Sequence, residues 1–188
     1  MTANSPVVLD ACVLIPMPLA DTLLRLAAGP QLYLPKWTDQ IMAEVNHNLQ
    51  ENFGLSAEQT AYRQSEIRRH FPDAWVQGYQ KLVPSMTNNQ KDRHVLAAAV
   101  RANAEIIVTY NVKDFPHAAL APYSITVQGP STFLISLYHL DPNTVIQTLE
   151  EQAAAINKRV EYVLDRLRVN APHFVDFIRS DQAFPPGI

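Results

Sequence analysis

The sequence of 188 residues contains one cysteine, Cys12, which excludes an internal disulfide bond and gives no sign of an oxidising compartment. Only five glycines occur, and none of them builds a phosphate-binding loop, so a Rossmann nucleotide-binding protein has no support. The longest apolar run, around residues 95–100, is far too short to cross a bilayer. The first residues lack the basic and apolar parts of a signal peptide, so we expect a cytoplasmic protein with no membrane partner.

The net charge is −3, which argues against a protein that coats nucleic acid through charge alone. It does not exclude a nuclease, because carboxylates that bind metal count as negative in this sum although the bound cations reverse the local field. With 47% hydrophobic residues the chain can bury a core, and its length fits one domain with an added helical piece.

Short β-branched segments alternate with amphipathic helical patterns through the first 140 residues. Strands are predicted at residues 6–10, 32–35, 105–110 and 124–128. Helices are predicted at residues 21–28, 38–50, 56–70, 91–103, 132–139 (after a Ser131 cap), 142–158 and 159–180 (broken at Pro172). Residues 73–87 give no clear pattern, and residues 184–188 are predicted to be a loose tail. The alternation predicts an α/β fold with a parallel sheet over residues 1–140 and an appended helical layer over residues 141–188.

Two aspartates follow predicted strands. Asp10 ends the first strand, and Asp114 lies beyond the third, across Asn111. Ligands of open α/β sheets bind beyond the carboxyl ends of the strands, so both positions favour a site. The alternatives are that Asp10 caps the following turn and that Asp114 is an ordinary turn residue.

Two further acids lie on predicted helices. Asp92 heads a helix and points the same way as Val95, and helix N-termini meet strand C-termini at one end of a parallel α/β sheet. Its alternative is a helix-terminus acid that only complements the helix dipole. Glu44 lies at the edge of the buried stripe of its helix, where the alternative is a solvated glutamate. Glu51, seven residues later on nearly the same face of this helix, is the alternative candidate to Glu44.

If Asp10, Glu44, Asp92 and Asp114 lie together, they need a cation between them. Several carboxylates at one point repel each other unless a cation is present. Hard oxygen ligands without cysteine or histidine partners favour Mg²⁺ or Mn²⁺ over zinc. Carboxylates that hold such ions at a cleft are the ordinary apparatus of phosphodiester hydrolysis, so the residues predict a metal-dependent nuclease.

Four stretches of the sequence resemble the PIN-domain ribonucleases, specifically the VapC-like toxin branch with a C-terminal helical extension. They are Val7–Leu14, Leu34–Glu44, Lys91–Ala99 and Ile107–Pro116. The first and last match general PIN features, and the middle two match this branch. The resemblance covers about residues 6–140 in order.

The resemblance implies a PIN-like three-layer domain over residues 1–140. It implies catalytic, metal-binding roles for Asp10, Glu44, Asp92 and Asp114, with Thr109 and Asn111 as supporting polar residues. It also implies one or two Mg²⁺ or Mn²⁺ ions and single-stranded or looped RNA as substrate. A further implied partner is a cognate antitoxin that blocks the site, as in a type II toxin–antitoxin pair, and a homodimer is compatible with it.

The sequence departs from this branch at two places. Asn88-Asn89-Gln90-Lys91 stands where such members often carry additional aspartates, which leaves the number of metal ions open. Cys12 stands where an asparagine is common.

Other hypotheses stay open. The same fold would serve a catalytically quiet module that binds RNA or protein, or a metal-dependent DNA or structure-specific nuclease. His94, His117 and His139 are interpreted as scattered surface histidines rather than as an acid–base pair.

Overall fold

A four-stranded, all-parallel sheet lies at the centre of the protein, in a computed structural model that describes residues 4–181. The strands run in the order β2-β1-β3-β4. They are β1 (Pro6–Leu9), β2 (Leu34–Lys36), β3 (Ile106–Val108) and β4 (Thr126–Gln128). The predicted α/β fold with a parallel sheet is therefore confirmed.

Helices surround the sheet. They are α1 (Ala11–Leu14), α2 (Met17–Ala28), α3 (Asp39–Phe53), α4 (Ala57–His70), α5 (Arg93–Arg101), α6 (His117–Leu120), α7 (Pro130–Leu140), α8 (Pro142–Ala155), α9 (Val160–Arg168) and α10 (Pro172–Ser180). Within residues 4–181, no helix is both long enough and apolar enough to span a membrane.

The two central strands are buried on both faces. Successive strand residues point to opposite faces, and both Val7 and Val8 have no exposed surface. Ile107 and Val108 in β3 are buried to the same extent, which explains why these strands read as unbroken apolar runs. Because both faces of the sheet are covered, the domain has three layers.

The chain changes direction between β1 and β3. From β1 it crosses to β2 on one side, and it later returns to β3 on the other, with Leu9 paired to Val108 at the carboxyl end. Such a reversal leaves a crevice beyond the strand ends, where α/β proteins bind their ligands. The residues that follow Leu9 and Val108 therefore border the expected site.

Several helix starts are confirmed by their caps. The Thr38 hydroxyl accepts a hydrogen bond from the Ile41 amide at 3.1 Å, which fixes the start of α3. Ser56 and Gln59 form a capping box, which fixes the start of α4 next to the predicted position. Asp141 caps α8 by accepting from the Thr144 amide at 3.0 Å.

Other predicted boundaries were wrong. Ser131 is not a cap, because Pro130 already occupies the first turn of α7 and Gly129 is the N-cap residue. Helix α2 begins at Met17 rather than at Asp21, with a proline in its first turn. The segment without a clear pattern forms 3₁₀ turns at Pro72–Ala74 and Tyr79–Ser85.

Further differences lie near the site. The single turn α1 was not predicted. The helix predicted from Lys91 begins as a 3₁₀ turn, Gln90–Asp92, and becomes α-helical only at Arg93. The predicted loose tail at residues 184–188 lies outside the described residues.

The C-terminal helices share the core of the α/β part. Helix α8 packs against α2 and α9, and α10 packs against α7 and α9. A buried hydrogen bond of 2.7 Å joins the Thr22 hydroxyl in α2 to Gln152 Oε1 in α8. Leu164 and Phe174 are fully buried in the same hydrophobic cluster as the strands. The hydrophobic core is therefore continuous across residue 140. A domain boundary at that residue remains a prediction.

A substitution in α10 tests whether the chain unfolds as one unit. Phe174→Ala should lower the free energy of unfolding by about 3–5 kcal/mol, because it removes a fully buried ring. Urea unfolding followed by circular dichroism and by tryptophan fluorescence should show one shared transition. Val169→Ala, at a position 80% exposed, is the control and should change stability by less than about 0.5 kcal/mol. Two separate transitions would contradict a shared core.

Candidate metal site

A cleft of about 380 Å³ opens at the carboxyl ends of β1 and β3. Three of the four predicted acids, Asp10, Glu44 and Asp92, line it together. The other lining residues are Ala11, Cys12, Ile15, Asn48, Lys91 and Asn111. Asp114 does not line the cleft, but it pairs with Lys91, which does.

Asp10 is buried and held from three directions. Its Oδ1 accepts a hydrogen bond from the Ala11 amide at 2.7 Å, so the acid does cap the single turn α1. Its Oδ2 accepts from the Thr109 hydroxyl at 2.6 Å and from the Cys12 thiol at 3.3 Å. The Asp10 amide donates to the Val108 carbonyl at 3.1 Å, which continues the β1–β3 pairing. Capping of α1 therefore accounts for Oδ1 of Asp10. Oδ2 accepts instead from Thr109, the residue that follows β3, and from Cys12.

Thr109 and Asn111 lie where supporting residues were expected. The buried Thr109 hydroxyl donates to Asp10 and accepts from the Asn111 amide at 3.0 Å. Asn111 itself lines the cleft. Burial, together with the charge of Asp10, raises the pKa of the Cys12 thiol to about 12, so Cys12 remains a neutral hydrogen-bond donor.

Asp92 is the least satisfied of the acids. It is only 7% exposed, yet its side chain makes no capping hydrogen bond at the start of α5. Its Oδ2 is buried without a hydrogen-bond partner, with Lys91 Nζ at 3.9 Å. Burial raises the pKa of Asp92 to about 6, against the lowering effect of Lys91, and the charges of Asp10 and Asp114 add to the rise. A buried carboxylate in this condition favours a cation beside it.

Asp114, unlike Asp92, has hydrogen-bond and ion-pair partners for both of its carboxylate oxygens. Its Oδ1 accepts from Asn89 Nδ2 at 3.1 Å, and its Oδ2 lies 3.3 Å from Lys91 Nζ. Desolvation raises the pKa of Asp114, but the hydrogen bonds from Asn89 and Lys91 outweigh it and hold that pKa below its usual range. The fourth acid is therefore ionised and already paired.

Glu44 stands at the exposed lip of the cleft. Its Oε1 lies 3.1 Å from His94 Nε2, and 42% of its side chain is exposed. Glu51, the rival acid on the same helix, is exposed and does not line the cleft. The structure thus brings Glu44, and not Glu51, to the other acids.

The interpretation of His94 as a surface residue was wrong. It is 5% exposed and contacts Glu44, whereas His117 and His139 are exposed as expected. Its position within the apolar face of α5 was the one available signal of burial. Lys91 and Asn89 were also missed as site residues, because nothing local in the sequence shows that they reach Asp114.

The residues present suit Mg²⁺ or Mn²⁺ in their chemistry. Within the described part of the chain, no three His, Cys, Asp or Glu side chains are arranged closely enough to form a ready metal cage. Mg²⁺ does not need one, because it usually keeps several waters and is held by one or two carboxylates. Asp92, whose Oδ2 has no hydrogen-bond partner, lines the same cleft as Asp10 and fits that requirement.

The parallel sheet and the acids at its switch point define a PIN-like α/β domain. No protein-family model matches the sequence. The chain is 39% identical over 117 residues to VapC50 of Mycobacterium tuberculosis strain H37Rv, a protein whose name assigns it provisionally to the ribonucleases. The match covers 61% of this chain and 68% of that protein. The chain therefore belongs to the VapC-like family.

Replacing Asp92 tests the electrostatics of the cleft. In metal-free buffer at pH 8, Asp92→Asn should be at least as stable as wild type, because it removes a buried charge. The folded-state pKa of about 6 lies above the ordinary 3.8, so ionising Asp92 costs stability as pH rises through that interval. The advantage of the variant should therefore be largest above pH 6 and should shrink towards pH 4. Urea unfolding in EDTA at several pH values measures it.

Asp39→Asn is the matched control for this experiment. Asp39 lies in the first turn of α3, is 73% exposed on its side chain and pairs with Arg68. As an ordinary helix-start acid it should lose a little stability on substitution, with little change between pH 5 and 8. If Asp92→Asn behaves like this control, Asp92 is a structural helix-terminus residue and not part of an acidic site.

Proposed function

We propose that this protein is an endoribonuclease that depends on Mg²⁺ or Mn²⁺, with Asp10, Glu44, Asp92 and Asp114 as its acidic residues. The observation that carries the proposal is the buried, unpartnered Oδ2 of Asp92 in the cleft that Asp10 and Glu44 also line. Leaving such an oxygen unpaired is costly, and a cation bound beside it would offset that cost. Membership of the VapC-like family supports RNA as the polymer that is cut.

Asp10, Asp92 and Glu44 are the residues that would hold the ion. When bound, it supplies Lewis-acid chemistry, which makes water a better nucleophile and stabilises negative charge on the phosphate oxygens. Asp10 is pre-positioned for this role, because Ala11 and Thr109 fix its two oxygens. A fixed carboxylate loses little conformational freedom when a ligand binds.

The remaining polar groups orient the acids. His94 holds the Glu44 carboxylate at the lip of the cleft. Asn89 and Lys91 hold Asp114, and the exposed ammonium of Lys91 is available to a phosphate of the RNA backbone. The cleft is open to solvent on the side of Glu44 and Lys91, so a flexible single strand can enter it.

We also propose that the protein is the toxin of a type II pair. Its partner would be an antitoxin with a segment that covers the acidic cleft. Expression of the protein alone should then arrest growth, and co-expression of its antitoxin should restore it. Growth arrest by the Asp10→Asn variant would contradict the proposal that RNA cleavage is the toxic activity.

The central experiment is sequencing of RNA ends after incubation of total RNA with the protein. We expect new ends with Mn²⁺ or Mg²⁺ and none with EDTA. Asp10→Asn should abolish cleavage and keep the fold, because the asparagine oxygen can still accept from Ala11 and the Thr109 hydroxyl can rotate to accept from the amide. Full activity in EDTA would overturn the metal-dependent assignment. Metal-dependent RNA binding without new ends would indicate a catalytically quiet module.

Two glutamates on α3 provide a matched pair of variants. Glu44→Gln should lower the cleavage rate by roughly 10- to 100-fold or more, since it removes a charged ligand of the ion. Glu51→Gln makes the same chemical change on the same helix but outside the cleft, and it should cleave like wild type. Equal activity of the two variants would remove Glu44 from the site. The assay is initial-rate cleavage of one identified RNA at saturating Mn²⁺.

A further inference from the structure

We infer that the Lys91 ammonium takes the place of a second divalent ion, so that the site of this protein holds one Mg²⁺ or Mn²⁺. The inference rests on the proposed function, because it concerns the same acids. It assigns Lys91 a positioning role: it holds Asp114 and Asp92 at the separation that a metal ion would otherwise set.

The geometry places the ammonium between two acids. Lys91 Nζ lies 3.3 Å from Asp114 Oδ2 and 3.9 Å from Asp92 Oδ2. A divalent ion bound between Asp92 and Asp114 would compete with the ammonium for these two carboxylates. Lys91 also lines the cleft with Asp10 and Glu44, so its charge acts on the whole acidic group.

The backbone around Lys91 brings its side chain back to this point. The 3₁₀ turn Gln90–Asp92 follows Asn89, whose amide donates to the Asp114 carbonyl at 3.1 Å. The Asn89 side chain donates to Asp114 Oδ1 and accepts from the Lys91 amide at 3.3 Å. The segment is thus tied to the loop after β3 by two hydrogen bonds from Asn89, and the lysine side chain has only to bridge a short gap.

Charge explains why a second ion is excluded. Two divalent ions would neutralise four carboxylates, but the ammonium already compensates one of them and pairs with Asp114 Oδ2 at 3.3 Å. An exposed ion pair is weak by itself, and 63% of the Lys91 side chain is exposed. Lys91 interacts with two carboxylates at once, however, and its tether keeps it at the site at any metal concentration.

The experiment is a Mn²⁺ titration of the protein by calorimetry, with free Mn²⁺ followed by electron paramagnetic resonance. Wild type should bind one ion. Lys91→Asp, which replaces the ammonium with a carboxylate, should bind two. Lys113→Asp makes the same charge change beside Asp114 at an exposed lysine with no ion pair among residues 4–181, and it should still bind one ion. Circular dichroism checks that each variant is folded.

Each result of the Mn²⁺ titration either supports or overturns the inferred role of Lys91. Two ions on wild type would overturn the inference without any variant and would leave the proposed function standing. One ion on folded Lys91→Asp would also overturn it, because removal of the lysine would then open no site. Two ions on both Lys91→Asp and Lys113→Asp would show that only the net charge matters and would contradict a specific place for Lys91. If wild type binds no Mn²⁺, the proposed function and the inference both fail.

Discussion

The hydrogen bond from the Thr109 hydroxyl to Asp10 joins the ends of the two central strands, and the cleft is arranged around it. It exists because β1 and β3 pair in register, so that Leu9 lies beside Val108 and the next residues face each other. One strand delivers the buried acid, and the other delivers its donor and the loop to Asp114. Helices α3 and α5 then add Glu44 and Asp92 from the flanks. A one-residue slip of this pairing would send Thr109 to the opposite face of the sheet.

Sequence reasoning succeeded where a local rule decides the structure. The α/β class, the caps at Thr38, Ser56 and Asp141, and the position of Asp10 beyond a strand all follow from patterns within a few residues. It failed where proline changed a helix start, as at Pro130, and where the chain formed 3₁₀ turns. The contacts of Lys91 and His94 could not be predicted, because each depends on a partner that only the tertiary fold brings near.

The acids of the cleft are not equivalent in their surroundings. Asp10 and Asp114 each accept well-placed hydrogen bonds, whereas Asp92 keeps a buried oxygen without a donor. The fold therefore supplies two of the carboxylates with hydrogen-bond donors and leaves one oxygen of the third without a donor. The family resemblance names the four acids as a group and does not describe how each one is held.

The loop that carries Thr109 and Asn111 is also attached to the C-terminal helices, since the Tyr110 hydroxyl donates to the Asn170 carbonyl at 2.8 Å. Asp10 and Thr109 are 99 residues apart, so their contact is strongly non-local, and the Tyr110 contact requires a further 60 residues of chain. Non-local strand pairing forms late in folding because the intervening loop must close first. The Tyr110–Asn170 hydrogen bond can form only after the chain beyond α9 has been made, so the loop that carries Thr109 gains this attachment late in synthesis.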